Sequence, residues 1–251
     1  MVLDKDNKLQ LIDQESHFFI YFAEIRKYLI QVLLFLLFLF IVLSPFSNEI
    51  YHFLAQPLLS KLPANSHMIA TDITSAFVAP FKLVFFLALI ISIPFIFFKI
   101  YSFIHNAVYQ PERKVFFIFL VSSVFLFYFG FFVGYYFILP KILDFFIGVA
   151  PDSVIPMTDI NQYLVFCIKL FLILGLIFQL PLMIVLLIYL KLVERKKLAE
   201  KRVFVFIFCF FVAMFITPPD ILSMSIGGFM MYMLFELGML ISFFITYGKK
   251  R

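Results

Sequence analysis

The chain consists of long apolar runs separated by short polar and charged segments. A helix needs about 20 consecutive apolar residues to cross a bilayer. The pattern predicts six membrane-spanning helices, at about 28–46, 75–101, 115–138, 162–189, 203–216 and 221–247. The fifth run would be only about 21 Å long at a rise of 1.5 Å per residue, and Glu236 interrupts the sixth. We therefore expect the last two spans to be short.

Composition excludes most other classes of protein. Hydrophobic residues make up 64% of the 251 residues and charged residues 14%, with 40 Phe and 12 Tyr. A soluble domain has about 45–50% apolar and about 25% charged residues, and its interior could not bury this much apolar surface. A soluble enzyme, a disordered chain and a disulfide scaffold are excluded. We predict an all-α integral membrane protein that forms a single domain over residues 1–251, without internal repeats.

Charge indicates which side of the membrane each loop faces. The net charge is +5, and the basic residues cluster at the ends of the apolar runs, which favours a membrane over nucleic acid as the partner. Most of them lie before the first run, after the second and fourth runs, and in the tail. The opposite loops hold only Lys61 and Lys141 among a majority of acidic residues. The positive-inside rule therefore predicts that both termini are cytoplasmic.

Polar side chains inside apolar runs are candidate functional groups because they are costly to place in lipid. Lys82 and Lys169 lie about two turns from the outer ends of their spans, so snorkelling to the headgroups accounts for them. Gln179 lies deep in the fourth span, two residues before Pro181. Its amide could satisfy the carbonyl that the proline leaves free, or could meet a partner or substrate. Glu236 could be a solvated helix-end charge or a functional group.

A second set of candidates lies at the cytoplasmic rim. Glu24 and Arg26 precede the first span, and Glu112 follows Phe103 in the loop after the second span. Taken alone, Glu112 is best explained as an exposed charge paired with a neighbouring cation, worth about 0–1 kcal/mol. The histidines and the two cysteines show no metal-ligand spacing, and the spans contain no GxSxG or HExxH motif. We therefore expect no catalytic residues and no metal site.

Seven segments together resemble one known family. In order, they are AEIRKYL, HMIATDITSAF, YSFIHNAVYQPERK, SSVFLFYFG, TDINQYLVF, GLIFQLP and TPPDILS. They are similar to signature segments of the bacterial TatC family, the receptor core of the twin-arginine protein translocase, from about Glu24 to Gly238. No single segment is decisive, but their order on six spans with both termini inside is specific.

The resemblance implies a function that the pattern alone does not give. It implies a non-enzymatic receptor that binds twin-arginine signal peptides and helps to move folded proteins across the bacterial cytoplasmic membrane, driven by the proton gradient. It also implies single-span TatA and TatB partners, an oligomeric complex with TatB, no cofactor, and a concave arrangement of helices in contact with lipid. A small-molecule or ion secondary transporter is the alternative, with Lys82, Lys169, Gln179 and Asp220 lining a path.

The resemblance also assigns roles to individual residues. The carboxylates that recognise the signal peptide fall on Glu24 and Glu112, the aromatic residue of the recognition loop on Phe103, and the basic residue of the N-terminal motif on Arg26. Four further family positions lie in the outer loops, the third span and the segment after the fifth span: Pro57, Met68, Tyr135 and Asp220.

Four positions depart from the family pattern. Gln179 replaces a common Glu, so a role that needs a titrating carboxylate is in doubt there, whereas hydrogen bonding to a partner helix is not. Tyr21, Asn106 and Met224 stand where the family has His, Pro and Gln. None of these changes removes the carboxylates that would bind arginine.

Overall fold

The computed structural model describes residues 3–61, 68–69, 73–107, 113–149, 158–217 and 221–248. Every regular element in these ranges is a helix, accompanied by one isolated β-bridge between Ile69 and Asp159. The all-α prediction is therefore confirmed for the described part of the chain. The α-helices, in chain order, are α1 Leu3–Leu43, α2 Ser47–Leu59, α3 Ile73–Ala107, α4 Arg113–Val133, α5 Leu139–Val149, α6 Ile160–Ile177, α7 Leu180–Tyr189, α8 Arg195–Glu200, α9 Arg202–Ile216 and α10 Ile221–Gly248.

All six predicted apolar runs fall on these helices. In the described residues, five helical segments are long and apolar enough to cross a membrane: Ala23–Leu59, Phe77–Phe103, Arg113–Gly148, Ile160–Tyr189 and Ile221–Ile245. The fifth run forms α9, which has 15 residues. At 1.5 Å per residue this helix is about 22 Å long, shorter than the roughly 30 Å of the hydrocarbon core.

The expectation that the last span is short was wrong. The final helix, α10, has 28 residues, so it is about 42 Å long. Apolar residues continue on both sides of Glu236, and the guanidinium of Arg202 pairs with the Glu236 carboxylate. A paired carboxylate need not end an apolar helix, so the helix runs on for twelve residues beyond Glu236.

The contacts divide the chain into two compact units. The first unit comprises residues 1–46 and 84–120, and the second comprises residues 47–83 and 121–251. Helices α3 and α4 contribute residues to both. The two units are described separately below.

Close helix packing in the second unit depends on small residues. A Cβ at Gly175 of α6 would lie 2.5 Å from the buried ring of Phe127 on α4, and one at Gly130 would lie 2.9 Å from the Leu174 carbonyl oxygen. Small residues let helix backbones approach closely in membranes, where van der Waals packing drives association. Glycine at these positions therefore brings α4 against α6.

A break separates α6 from α7 in the middle of the fourth apolar run. Phe178 and Gln179 form a turn between the two helices, and Pro181 lies in the first turn of α7. Proline has no N–H to donate, so it is tolerated at the start of a helix and interrupts the hydrogen bonding of a longer one. The final helix, α10, packs on α7 and α9, with Ile184, Phe235 and Met239 in one buried cluster.

Candidate functional site

The described rim residues of the first unit centre on an aromatic contact between α1 and α3. The rings of Tyr28 and Phe103 meet edge to face, with centroids 6.5 Å apart and planes 82° apart. Glu24 lies one turn before Tyr28, and residues four apart share a helix face. The structure therefore places Glu24 on the face of α1 that carries the contact with Phe103.

The other two rim predictions have different outcomes. Arg26 is exposed and lies two residues from both Glu24 and Tyr28, which puts it on another side of α1. Glu112 lies outside the described residues, directly before α4 begins at Arg113. The rim thus contains one described carboxylate beside an aromatic pair, and basic side chains at Arg26 and Lys27. A carboxylate near aromatic rings is suited to bind a guanidinium, which donates two parallel hydrogen bonds to the carboxylate and stacks on aromatic rings.

Gln179 forms a reciprocal hydrogen-bonded pair with Ser123 of α4. The Ser123 hydroxyl donates to Oε1 of Gln179 over 2.6 Å, and Nε2 of Gln179 donates to the Ser123 carbonyl oxygen over 3.0 Å. The proposed bond to the carbonyl freed by Pro181 was therefore wrong, because the amide is used between helices. The pair ties α4 to the break between α6 and α7.

Replacing Gln179 by Leu should lower the free energy of unfolding by about 1 kcal/mol, since two interhelical hydrogen bonds of about 0.6 kcal/mol each are lost. Gln179→Glu should cost less, because a protonated carboxyl can both accept from the Ser123 hydroxyl and donate to the Ser123 carbonyl oxygen, and crosslinking to partner helices should persist. Denaturant titration of these two variants and of Ser123→Ala measures how much the Gln179–Ser123 hydrogen bonds contribute to the free energy of unfolding. If the wild type and Gln179→Leu were equally stable, Gln179 would not form a stabilising link between α4 and the break between α6 and α7.

Glu236 belongs to a third and separate network. Its Oε2 accepts a hydrogen bond of 3.1 Å from Nη2 of Arg202, and its Oε1 accepts one of 3.0 Å from the Tyr232 hydroxyl and lies 3.1 Å from Nε of Arg202 in an ion pair. The bidentate geometry fixes the start of α9 against the middle of α10. Glu236 therefore links α10 to α9, because its cationic partner, Arg202, is the first residue of α9.

Two tyrosines hold helix α2 in place. The hydroxyl of Tyr135 donates to the Phe53 carbonyl oxygen over 3.0 Å, and its ring stacks on that of Phe53 with planes 2° apart. The buried hydroxyl of Tyr163 donates to the Leu54 carbonyl oxygen over 2.9 Å. Tyr135 itself lies in a π-helical turn at Gly134–Ile138, between α4 and α5. Tyr135, chosen as a family position in the third span, thus anchors α2 in this structure.

Further contacts join the two predicted outer loops. Ile69 and Asp159 form the β-bridge, in which the Ile69 amide donates to Thr158 and the Ile160 amide donates to Ile69. An ion pair of 2.7 Å joins Lys61 to Asp144 of α5. These links bring α2 and α5 together as one folded segment of the second unit.

The outer-loop predictions fall in or beside this segment. Met68 accepts a hydrogen bond from the Tyr51 hydroxyl at its sulfur over 3.5 Å. Pro57 lies inside α2, where its carbonyl accepts from the Ser60 hydroxyl. Asp220 lies outside the described residues. Lys82, assigned to snorkelling, donates to the side-chain oxygen of Asn161 over 2.8 Å.

Sequence reasoning missed Ser123, Asp159 and the two partners of Glu236. Asp159 caps α6 by accepting from the Gln162 amide over 2.9 Å. Its signal was present, because Asp followed three residues later by Gln before an apolar run is a helix-start pattern. Ser123 carried no comparable signal, since nothing in its own segment points to Gln179, 56 residues away.

No group of three or more His, Cys, Asp or Glu side chains within the described ranges could hold a metal ion. Several polar side chains there form interhelical hydrogen bonds, as Ser123 does with Gln179 and Arg202 with Glu236, and five described helical segments are long and apolar enough to cross a bilayer. Fold and site together define a multi-pass helical membrane protein whose polar groups hold helices together.

Comparisons with known proteins assign this membrane protein to a family. The family model described as Sec-independent protein translocase protein (TatC) matches residues 21–229. Relatives named Sec-independent protein translocase protein TatC are 38% identical in Haemophilus influenzae, over 93% of this chain and 91% of theirs, and 38% identical in Escherichia coli K12, over 91% and 89%. The chain therefore belongs to the TatC family of protein translocase components, which are not enzymes.

The fold is also found among solved structures. A crystal structure described as the twin arginine translocase receptor TatC has a TM-score of 0.78 and 24% identity, and covers 90% of this chain and 99% of the solved chain. A second crystal structure of that receptor, in DDM, has a TM-score of 0.78 at 23% identity. At this identity the likeness shows that the fold is shared.

Proposed function

We propose that this protein is the signal-peptide receptor and core subunit of a twin-arginine translocase. It would bind twin-arginine signal peptides of folded proteins for export across the bacterial cytoplasmic membrane, driven by the proton gradient. The observation that carries this proposal is the family match over residues 21–229, together with 38% identity to two translocase proteins over nine-tenths of the chain.

The binding site would lie at the cytoplasmic rim, between Glu24, Phe103 and Glu112, with Arg26 adjacent. Two neighbouring arginines need two carboxylates, because each planar guanidinium binds one carboxylate through two parallel hydrogen bonds. The edge-to-face pair of Tyr28 and Phe103 next to the Glu24 face supports this location, since aromatic faces attract a guanidinium. At a rim that faces lipid headgroups, the ion pairs would be partly desolvated and stronger than exposed ones.

The orientation rests on charge. Six spans, including the short α9, would place both termini in the cytoplasm as one membrane domain, with α2 and α5 on the outer side. The basic segment between α7 and α9, with Lys191, Arg195, Lys196, Lys197 and Lys201, would then face the cytoplasm. Pro57, Met68 and Asp220 would act on the outer side and would not contact the arginines.

The partners would be TatA and TatB, whose single helices would pack on exposed apolar surface, and the assembly with TatB would be oligomeric. Phe204, Phe208, Phe211 and Phe215 of α9 are exposed on the described chain. Large exposed apolar surfaces mark lipid or protein contacts. No cofactor enters this function.

A transporter is less well supported. Its proposed path included Lys82 and Gln179, whose side chains are engaged separately by Asn161 and Ser123. A transport path would need polar groups that face a shared aqueous cavity. The described contacts assign these two groups to structural pairs.

A peptide-binding measurement tests the proposal. The protein in nanodiscs should bind a fluorescent twin-arginine signal peptide at least tenfold more tightly than the same peptide with both arginines replaced by lysine, because lysine cannot bind a carboxylate in bidentate fashion. A scrambled apolar segment with the arginines retained controls for insertion into lipid. Equal affinities for the arginine and lysine peptides would contradict the receptor function.

A further inference from the structure

A groove runs along α1 within the first unit. It consists of two adjoining hollows of about 300 and 500 Å³, which share Leu29 and Val32 as lining residues. We call it the α1–α3 groove, because its walls are residues 25–40 of α1 and Phe85 to Phe103 of α3. Along α1 it extends over sixteen residues, with about 22 Å between the first and the last.

The groove is apolar except at one end. Lys99 is its one charged lining residue in the described chain. The Lys99 ammonium lies 5.0 Å from the ring centroid of Phe95 and 5.7 Å from that of Tyr28. Cation–π contacts of this kind hold an ammonium in place without neutralising it.

No described carboxylate compensates this charge. The three ion pairs of the described residues all lie in the second unit and involve Lys61, Lys197 and Arg202. Arg26 and Lys27 add two exposed cations near the same end of α1, against one carboxylate at Glu24. Among the described residues, one end of this apolar groove therefore carries excess positive charge.

We propose that the α1–α3 groove binds an anionic phospholipid. Its phosphate would pair with the Lys99 ammonium, and one acyl chain would lie along Leu29, Leu33 and Leu37. One leaflet contributes about half of the roughly 30 Å hydrocarbon thickness, so the groove is long enough for a full acyl chain. The Lys99 ammonium, held at the entrance of the groove, would attract the negatively charged phosphate of the lipid headgroup.

The same charge argues against a signal peptide as the occupant. The groove shares Tyr28 and Phe103 with the proposed arginine site, and the Lys99 ammonium lies near Tyr28 at its entrance. This ammonium would repel a guanidinium that entered the groove, so the arginines would bind on the Glu24 side of the aromatic pair. Repulsion between like charges, here the Lys99 ammonium and the arginines of the peptide, lowers the affinity of a groove for the wrong ligand. The lipid proposal does not depend on the receptor function and is tested without peptide first.

Fluorescence quenching tests the proposal directly. The chain contains no Trp, so Leu33→Trp introduces a single reporter inside the groove. The protein is placed in phosphatidylcholine vesicles that contain either brominated phosphatidylglycerol or brominated phosphatidylcholine. We expect quenching to reveal about a fivefold preference for phosphatidylglycerol, the size expected for one lysine facing an anionic lipid.

Matched variants assign the preference to the groove. Lys99→Gln in the Leu33→Trp background should abolish the preference, and Lys99→Arg should keep it. Lys196→Gln, which removes the same charge from an exposed position in the second unit, should leave it unchanged. Quenching by brominated phosphatidylcholine verifies that each variant is inserted.

Three results would overturn the proposal. The first is equal quenching by the two brominated lipids in the Leu33→Trp protein. The second is a preference that survives Lys99→Gln. The third is a twin-arginine peptide that displaces both lipids regardless of headgroup, which would assign the groove to the peptide.

Discussion

A chain that carries Glu112→Gln should bind a twin-arginine peptide about tenfold to a hundredfold more weakly than the wild type. Each carboxylate is proposed to bind one guanidinium, and hydrogen bonds to charged groups contribute about 1.5–3 kcal/mol. Glu24→Gln should have an effect of similar size. Titration of a fluorescent peptide against the protein in nanodiscs measures both, at one stated salt concentration, because screening weakens partly exposed pairs.

The control for these variants is Glu49→Gln. Glu49 is an exposed carboxylate of α2, so the variant makes the same charge change on the proposed outer side and should bind normally. The double variant should bind no better than the twin-lysine peptide binds the wild type. Unchanged affinity in both single variants would remove Glu24 and Glu112 as the arginine clamp.

The largest expected effect on stability is at Gly238 of α10. A Cβ there would lie 2.8 Å from the Pro181 Cα atom and 3.0 Å from its carbonyl oxygen. These are backbone atoms that cannot rotate away, so Gly238→Ala must push α10 off α7. Overpacking of this kind costs about 1–3 kcal/mol, and chemical denaturation in detergent should show a loss of that size.

Gly148 of α5 provides the matched substitution. Nothing lies within 4 Å of a Cβ added at Gly148. Gly148→Ala should therefore leave stability unchanged or raise it by up to about 1 kcal/mol, because alanine favours a helix over glycine. A Gly238→Ala protein as stable as Gly148→Ala would contradict the close approach of α7 and α10.

Much of the helical architecture could be predicted from the sequence because lipid imposes a strong local rule. A helical spanning segment must be predominantly apolar and must satisfy its backbone hydrogen bonds internally, so the runs at 75–101 and 115–138 predicted most of α3 and α4 directly. Pro181 marked the place of the break at Gln179, although the sequence predicted one continuous span there, because a proline alone does not decide the outcome: Pro80 and Pro94 leave α3 unbroken. Both features depend on residues that are adjacent in the chain.

The polar contacts could not be predicted in the same way. Ser123 meets Gln179 across 56 positions, and Tyr163 meets the Leu54 carbonyl across 109. No periodicity encodes such pairs, because they depend on which helices pack together. The length of α10 was misjudged for the same reason, since the partner of Glu236 is Arg202, the first residue of a different helix.

The rim residues form an intermediate case. Glu24, Arg26 and Phe103 were chosen through the family resemblance, and the structure brings the Glu24 face of α1 and Phe103 together through Tyr28. It leaves Arg26 on another side of the helix. Two residues of spacing in a helix turn a side chain by about 200°, so neighbours in a motif need not share a surface.

Site-specific photocrosslinking from Phe103 tests the central claim most directly. A photoreactive residue replaces Phe103 in the membrane-embedded protein, with its partners present, and a labelled twin-arginine signal peptide is added. The receptor account predicts a crosslink that disappears when the paired arginines become lysines. A folded protein that yields no crosslink, or one that crosslinks the lysine peptide equally well, would contradict it.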